Sequence, residues 1–319
     1  MHLLILADVS GTGQFFQQIE NGITLGAMYA LVALGYTLVY GIIELINFAH
    51  GDVFMWSTMV TLVVVQALHI SGALGGMQLV GVILLLIVIG VVVSATLNVT
   101  IERVLYRPLR RAPRLAPLIA AIGASFILEN VAQLWRGSSF TAFPGIFPTG
   151  KGYGLSLGSV TINYLDIFIV VLAVGLMVGL DRLIRLTRLG KAMRATAQDP
   201  EAAALMGVNI DRTIVATFLI GGALAGATGV LYNLYIGQVW FLTGFQLGLI
   251  AFTAAVLGGI GNVNGAVLGG FLIGVINSLA IQYVSHGLQW SNAIVFAILV
   301  LILVFRPSGL LGQRVPDKV

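Results

Sequence analysis

The chain alternates long apolar runs with short polar breaks. Apolar residues dominate nine stretches, near residues 20–41, 52–70, 78–101, 115–135, 162–182, 213–236, 245–259, 265–284 and 290–305. A helix needs about 20 apolar residues to cross the hydrocarbon core of a bilayer. The pattern therefore predicts an all-α, polytopic membrane protein of about eight to ten spans, forming one transmembrane domain over residues 1–319. Two runs, 52–70 and 245–259, are short or polar at one end. They adjoin the two most irregular stretches, GIIELINFAHGD (41–52) and GGIGNVNG (258–265). Too much Gly and Asn for a comfortable helix predicts broken or re-entrant helices there. Non-helical backbone is tolerated at membrane depth only where protein or water satisfies it, and such breaks often line transport paths. The two breaks correspond loosely, as a weak internal repeat would.

Composition agrees. The 319 residues are 58% hydrophobic and 9% charged, against about 25% charged in soluble domains. There is no cysteine, so disulfides and thiol chemistry are excluded. The opening MHLLILADVSGTG has no Lys or Arg before a short apolar run and does not read as a secretory signal. QFFQQIENG (14–22) reads either as an interfacial helix or as a polar lead-in to the first span.

The charges set the expected orientation. Arg103, Arg107, Arg110, Arg111 and Arg114 fill one linker, and Arg182, Arg185, Arg188, Lys191, Arg194 and Arg212 another. Arg306, Arg314 and Lys318 follow the last run, whereas the 136–161 linker holds only Arg136 and Lys151. The positive-inside rule puts the basic linkers and the C-terminus in the cytoplasm and the N-terminus outside. The basic excess thus needs no nucleic-acid partner, although anionic lipid would suit it. The 136–161 linker, rich in Gly, Pro, Ser and Thr, reads as an irregular outer loop. Its GIFPTGK has the spacing of a phosphate-binding loop, but Gly152 stands where Ser or Thr is needed.

Candidate functional residues fall into three groups. Glu44, Asn47, His50 and Asp52 lie between apolar runs. A carboxylate at the bilayer centre costs about 2.5–3.5 kcal/mol on insertion scales, so these side chains face water, pair with one another, or sit near the interface. They read equally as a cytoplasmic turn, with Gly41 and Gly51 as helix stops, or as the lining of a substrate path. His50 and Asn47 are the expected hydrogen-bond partners of the carboxylates. Asn262 and Asn264 of the second break are path candidates on the same logic. The second group is small residues at four-residue spacing, which let membrane helices approach closely: Gly222, Gly226 and Gly229 on one span, and Gly261, Gly265 and Gly269, with Gly270 and Gly274 beside them. The third is DPEAAALMG in the 183–212 linker. Asp199 suits an N-cap, Pro200 the first helical position, Glu201 the positive end of the dipole, and Gly207 a left-handed stop. A short, separately capped helix is expected there, too short to persist undocked.

Here a resemblance becomes specific. Glu201, Ala202 and Ala203 followed by Gly207 resemble the EAA loop of ABC-importer permeases. INFAHGD, with its lead-in GITLGAMYALVALGYTLVYGII, and AAVLGGIGNVNGAVLGG resemble the branched-chain amino-acid permeases, over roughly residues 18–312. The urea permeases are similar in the same region. The resemblance implies the shorter permease subunit of an ATP-driven importer in a bacterial inner membrane, with the type II fold shared with ribose and vitamin B12 importers. It implies as partners a second permease subunit, two ATPase subunits and a periplasmic substrate-binding protein, and a coupling role for Glu201, Ala202, Ala203, Leu205, Met206 and Gly207.

The alternatives are a secondary transporter, with Glu44, Asp52 and Glu129 as coupling carboxylates, and an intramembrane enzyme. His2, His50, His69 and His286 show no metal-ligand spacing, and no serine elbow or carboxylate pair stands out. No metal, cofactor or catalytic residue is expected.

Overall fold

A computed structural model describes residues 11–312 apart from 111, 114, 151, 159 and 307. Eleven helices are present among the described residues. They are α1 (Gly11–Ile43), α2 (His50–Ala67), α3 (Gly76–Leu109), α4 (Leu115–Arg136), α5 (Tyr164–Leu186), α6 (Arg188–Gln198), α7 (Pro200–Leu205), α8 (Ile210–Ile236), α9 (Thr243–Gly258), α10 (Val263–Tyr283) and α11 (Gly287–Phe305). Seven of them, α1, α3, α4, α5, α8, α10 and α11, are long and apolar enough to cross a membrane. The chain is an all-α polytopic membrane protein. The two remaining apolar helices, α2 and α9, have 18 and 16 residues. At 1.5 Å per residue α9 spans about 24 Å, short of a hydrocarbon core of about 30 Å. These are the two runs the sequence marks as short.

The burial gradient defines the architecture. α1 and α8 are mostly buried inside the protein, whereas α3, α4, α5 and α11 present most of their apolar surface outward. Aliphatic side chains such as Val88, Val92, Ile119, Leu134, Val171 and Val304 stand exposed on these outer helices. That is stable only where the surroundings are themselves apolar.

Small residues bring the helices together. α1 and α10 run antiparallel in close contact: a side chain at Gly22 would lie 2.6 Å from the Cα of Val275, and one at Gly26 2.7 Å from the Cα of Phe271. Gly270 and Gly274 face α1 in return, and Gly265 and Gly269 face α9. On α8, a side chain at Gly222 would sit 2.6 Å from the Ser94 carbonyl and one at Gly226 2.8 Å from the Cα of Val91, both on α3. Gly229 meets Ser57 of α2. Of the expected faces only Gly261 falls elsewhere: it lies in the α9–α10 turn with φ 90°, because α10 starts only at Val263. Polar side chains reinforce the seams. Ser57 Oγ donates to the Gly226 carbonyl at 2.7 Å and Ser94 Oγ to the Val53 carbonyl at 2.8 Å. Asn233 Nδ2 donates to the Thr58 carbonyl at 2.8 Å.

Three sequence readings are corrected. The first helix starts earlier than its apolar run near residue 20, since the polar 14–22 segment is helical and forms the first turns of the 33-residue α1. The 136–161 linker is partly ordered: β1 (Thr141–Ala142) pairs with β4 (Gln238–Val239), and β2 (Gly154–Leu157) forms an antiparallel hairpin with β3 (Val160–Asn163). Neither Gly41 nor Gly51 stops a helix. α1 runs past Gly41 to Ile43 and ends at Glu44, whose φ is 52°. Gly51 lies in the first turn of α2, where a side chain would come within 2.9 Å of the Cα of Gly248 on α9. Of the positions singled out in the sequence, His2, Arg111, Arg114, Lys151, Arg314 and Lys318 lie outside the described residues.

Candidate functional site

The α1–α2 break gathers buried polar groups from four helices. Residues 44–47 have no regular structure, and α2 starts at His50 without a side-chain cap. Asn47 is 1% exposed. Its Nδ2 donates to Asn98 Oδ1 of α3 at 3.2 Å, and Asn98 Nδ2 donates to the Phe218 carbonyl of α8 at 2.6 Å. The break is thus tied to two neighbouring helices through one amide relay.

His50 is fully buried, and its ring meets Tyr36 edge-on with centroids 4.9 Å apart. Gly35 makes the room, because a Cβ there would overlap the imidazole. Among the described residues neither ring nitrogen has a hydrogen-bond partner. Asp52 is also fully buried: Ser125 Oγ of α4 donates to its Oδ2 at 2.5 Å, and its Oδ1 is unpaired. Glu129, one turn further along α4, is 5% exposed with Oε1 unpaired. Around the break, then, Asn47 Oδ1, both His50 nitrogens, Asp52 Oδ1 and Glu129 Oε1 are buried without partners among the described residues. Each such group costs about 1–3 kcal/mol if left dry. Buried polar groups of this kind are met by internal water or by a polar ligand.

The pairing differs from the expectation drawn within GIIELINFAHGD. Asp52 is held by Ser125, Asn47 by Asn98, and His50 by neither, because the irregular break and the first turn of α2 point these side chains at three different neighbours. Glu44 is exposed at the end of α1, apart from the buried group. Asn262 and Asn264 do not join it either. Asn262 caps α10 by accepting from Gly265 N at 3.1 Å and donates to the Leu311 carbonyl at 2.8 Å, while Asn264 is exposed. The two breaks nevertheless meet, since a side chain at Gly41 would lie 3.6 Å from the Cα of Gly261. Asn98 and Ser125 were missed by the sequence reading. Their only signal is a polar side chain within a largely apolar span.

The capped segment forms a helical elbow. α6 begins at Thr187, whose hydroxyl accepts from Gly190 N at 3.0 Å, and it buries Met193 and Thr196. α7 follows at once. Asp199 accepts from Glu201 N at 2.9 Å and Ala202 N at 3.0 Å, with Pro200 in the first helical position. The far end is a Schellman closure: Val208 N bonds the Ala203 carbonyl and Gly207 N the Ala204 carbonyl, each at 3.0 Å, with Gly207 at φ 86°. Ala203 is buried. Glu201 and Ala202 are exposed, and Leu205 and Met206 stand 89% and 86% exposed on the tip.

Beneath the elbow, Asp211 in the first turn of α8 holds Arg107 at 2.9 Å and also Arg110, and Arg110 bridges to Glu102, whose side chain is wholly buried. This is the basic end of the molecule.

A bundle of outward-apolar helices around a broken, polar interior, with a capped elbow at its basic end, is an integral membrane protein built to act across the bilayer. Comparison with known proteins is more specific. Residues 18–303 match the family described as branched-chain amino acid transport system, permease component. The chain belongs to that family. It is 42% identical over 311 residues to the high-affinity branched-chain amino acid transport system permease protein LivH of Escherichia coli K12, covering 96% of this chain and 98% of the relative. It is 41% identical over 306 residues to BraD of Pseudomonas aeruginosa, described in the same terms, again covering 96% and 98%. The galactose/methyl galactoside import permease MglC of Haemophilus influenzae is a partial match, 30% identical over 171 residues, or 52% of this chain and 49% of the relative. No solved structure matches the chain.

Proposed function

We propose that this chain is a permease subunit of an ATP-driven importer of branched-chain amino acids. The observation that carries the proposal is identity of 41–42% along nearly the whole chain to permeases whose names state that substrate class. The chain would form half of the path beside a second permease subunit. A substrate-binding protein would deliver leucine, isoleucine or valine from outside, and two separate ATPase subunits would hydrolyse ATP. Little in the chain could grip a zwitterion strongly, which suits a low-affinity path with recognition left to the binding protein. Asn47, His50 and Asp52 would shape that path at the α1–α2 break, and their unpaired buried atoms support this.

The elbow is the proposed ATPase contact. Leu205 and Met206 would enter a groove on the ATPase, with Ala202 and Ala203 permitting close approach and Glu201 and Gly207 fixing the ends of the helix. The basic end would then face the cytoplasm, with the 136–161 loop outside, as the positive-inside rule requires.

Uptake of labelled leucine by the reconstituted complex tests the substrate. Strong urea uptake without leucine uptake would overturn it. The absence of cysteine makes the orientation testable with Gly145→Cys, which should react with an impermeant thiol reagent added outside, and reaction from the cytoplasmic side alone would reverse the assignment.

A further inference from the structure

The basic end of α3 is not an ordinary helix terminus. Residues Glu102–Tyr106 form a π turn. Single π turns inserted into α-helices occur frequently at functional sites. This one is tied at one end to the α1–α2 break and at the other, through Arg110, to α8. At one end Tyr106, 1% exposed, donates its hydroxyl to the Ile46 carbonyl in the α1–α2 break at 3.1 Å. Its ring lies against Phe218, centroids 5.3 Å apart, and the Phe218 carbonyl is the one that holds Asn98. At the other end buried Glu102 holds Arg110, which shares Asp211 with Arg107. Asp211 lies four residues after Gly207, where α7 closes. Bonded groups thus lead from the root of α8, beside the elbow, through Asp211, Arg110, Glu102 and Tyr106 to Ile46.

We propose that this π turn sets the shape of the α1–α2 break according to the position of the elbow, which makes Tyr106 and Arg110 positioning residues for transport. The inference rests on the reading of the chain as a permease driven through α7. Two unpaired atoms give the link a second state. Among the described residues, Glu102 Oε2 and Arg110 Nε are buried without partners. Arg110 is divided between Glu102 and Asp211. If α8 and Asp211 shifted, Arg110 could fork onto Glu102 alone, since a guanidinium and a carboxylate match as a bidentate pair. That exchange satisfies both unpaired atoms. Small shifts become discrete switches where packed groups have two arrangements.

The test uses the complete transporter carrying Leu45→Cys, a half-buried position in the break. Thiol labelling is measured with and without a non-hydrolysable ATP analogue. The labelling rate should change with nucleotide in this parent. Tyr106→Phe removes only the hydroxyl, and Asp211→Asn weakens the other end at an exposed side chain. Each should shrink the nucleotide-dependent change about five-fold, the equivalent of one net hydrogen bond. A merely structural role would instead alter labelling equally in both nucleotide states. Should Tyr106→Phe fail to assemble, Asp211→Asn decides alone. An unaltered nucleotide response in the assembled variants, or none in the parent, overturns the proposal. A parent that responds to nucleotide yet takes up no leucine refutes the substrate assignment and leaves the positioning role standing.

Discussion

Gly207→Val isolates the geometry of the elbow from its contacts. Nothing lies within 4 Å of where a side chain at Gly207 would begin, so the substitution creates no clash. The only cost is backbone strain, because Gly207 sits at φ 86°. A left-handed conformation costs an L-residue roughly 1–2 kcal/mol, least for Asn and most for a β-branched residue. That cost falls on a six-residue helix held by one Asp cap and one Schellman closure, so α7 should fray at its exit and release Leu205 and Met206 from their presented positions. Burying either side chain fully in a groove would contribute about 1.5–3 kcal/mol. Leu205→Ala or Met206→Ala should therefore weaken ATPase binding by up to about 100-fold. Gly207→Val should weaken it by about 5- to 30-fold, and Gly207→Asn by much less, because Asn tolerates the left-handed region. The assay is titration of the purified ATPase subunits against the permease complex in proteoliposomes, read by pull-down and by binding-protein-stimulated hydrolysis. If Gly207→Asn is as damaging as Gly207→Val, backbone strain is not the cause. If neither Leu205→Ala nor Met206→Ala changes binding, the exposed tip is not the contact.

Three further expectations follow from the packing. In a double-mutant cycle, Asn47→Ala and Asn98→Ala should couple by about 0.6–1.7 kcal/mol, the range for hydrogen bonds between membrane helices. Denaturation in mixed micelles measures it, and coupling near zero would mean the amide contact is incidental. Gly35→Ala should destabilise by about 1–3 kcal/mol through overpacking against His50, and much of that loss should disappear when His50→Ala is added, as thermal unfolding of the two variants would reveal. Gly226→Leu should part α8 from α3 and abolish folded, membrane-inserted protein on detergent extraction, whereas Gly175→Leu on the outer helix α5, with open space around it, should extract normally.

Much was legible along the chain because its cause is local. Nine apolar runs mark nine apolar helices among the described residues, seven of them long enough to cross a membrane, since each must satisfy its own backbone and hide it in apolar side chains. α7 could be read to the residue: Asp199, Pro200 and Gly207 act on backbone groups within four positions of themselves. The glycines of α8 announced a close contact, though not with which helix. Only the tertiary structure decided the partners. Asp52 meets Ser125 and Asn47 meets Asn98 across 73 and 51 residues, and a polar residue in an apolar chain carries no sign of which distant polar residue it will face. The register that brings them together comes from the summed packing of glycine seams between whole helices. α1 starts before its apolar run for a related reason, because the polar turns Gln14–Glu20 extend a helix already nucleated downstream. The reach of the π turn had no local mark either: Tyr106 bonds the Ile46 carbonyl and Arg110 bonds Asp211, and those bonds form only once α3 is packed against the α1–α2 break and α8.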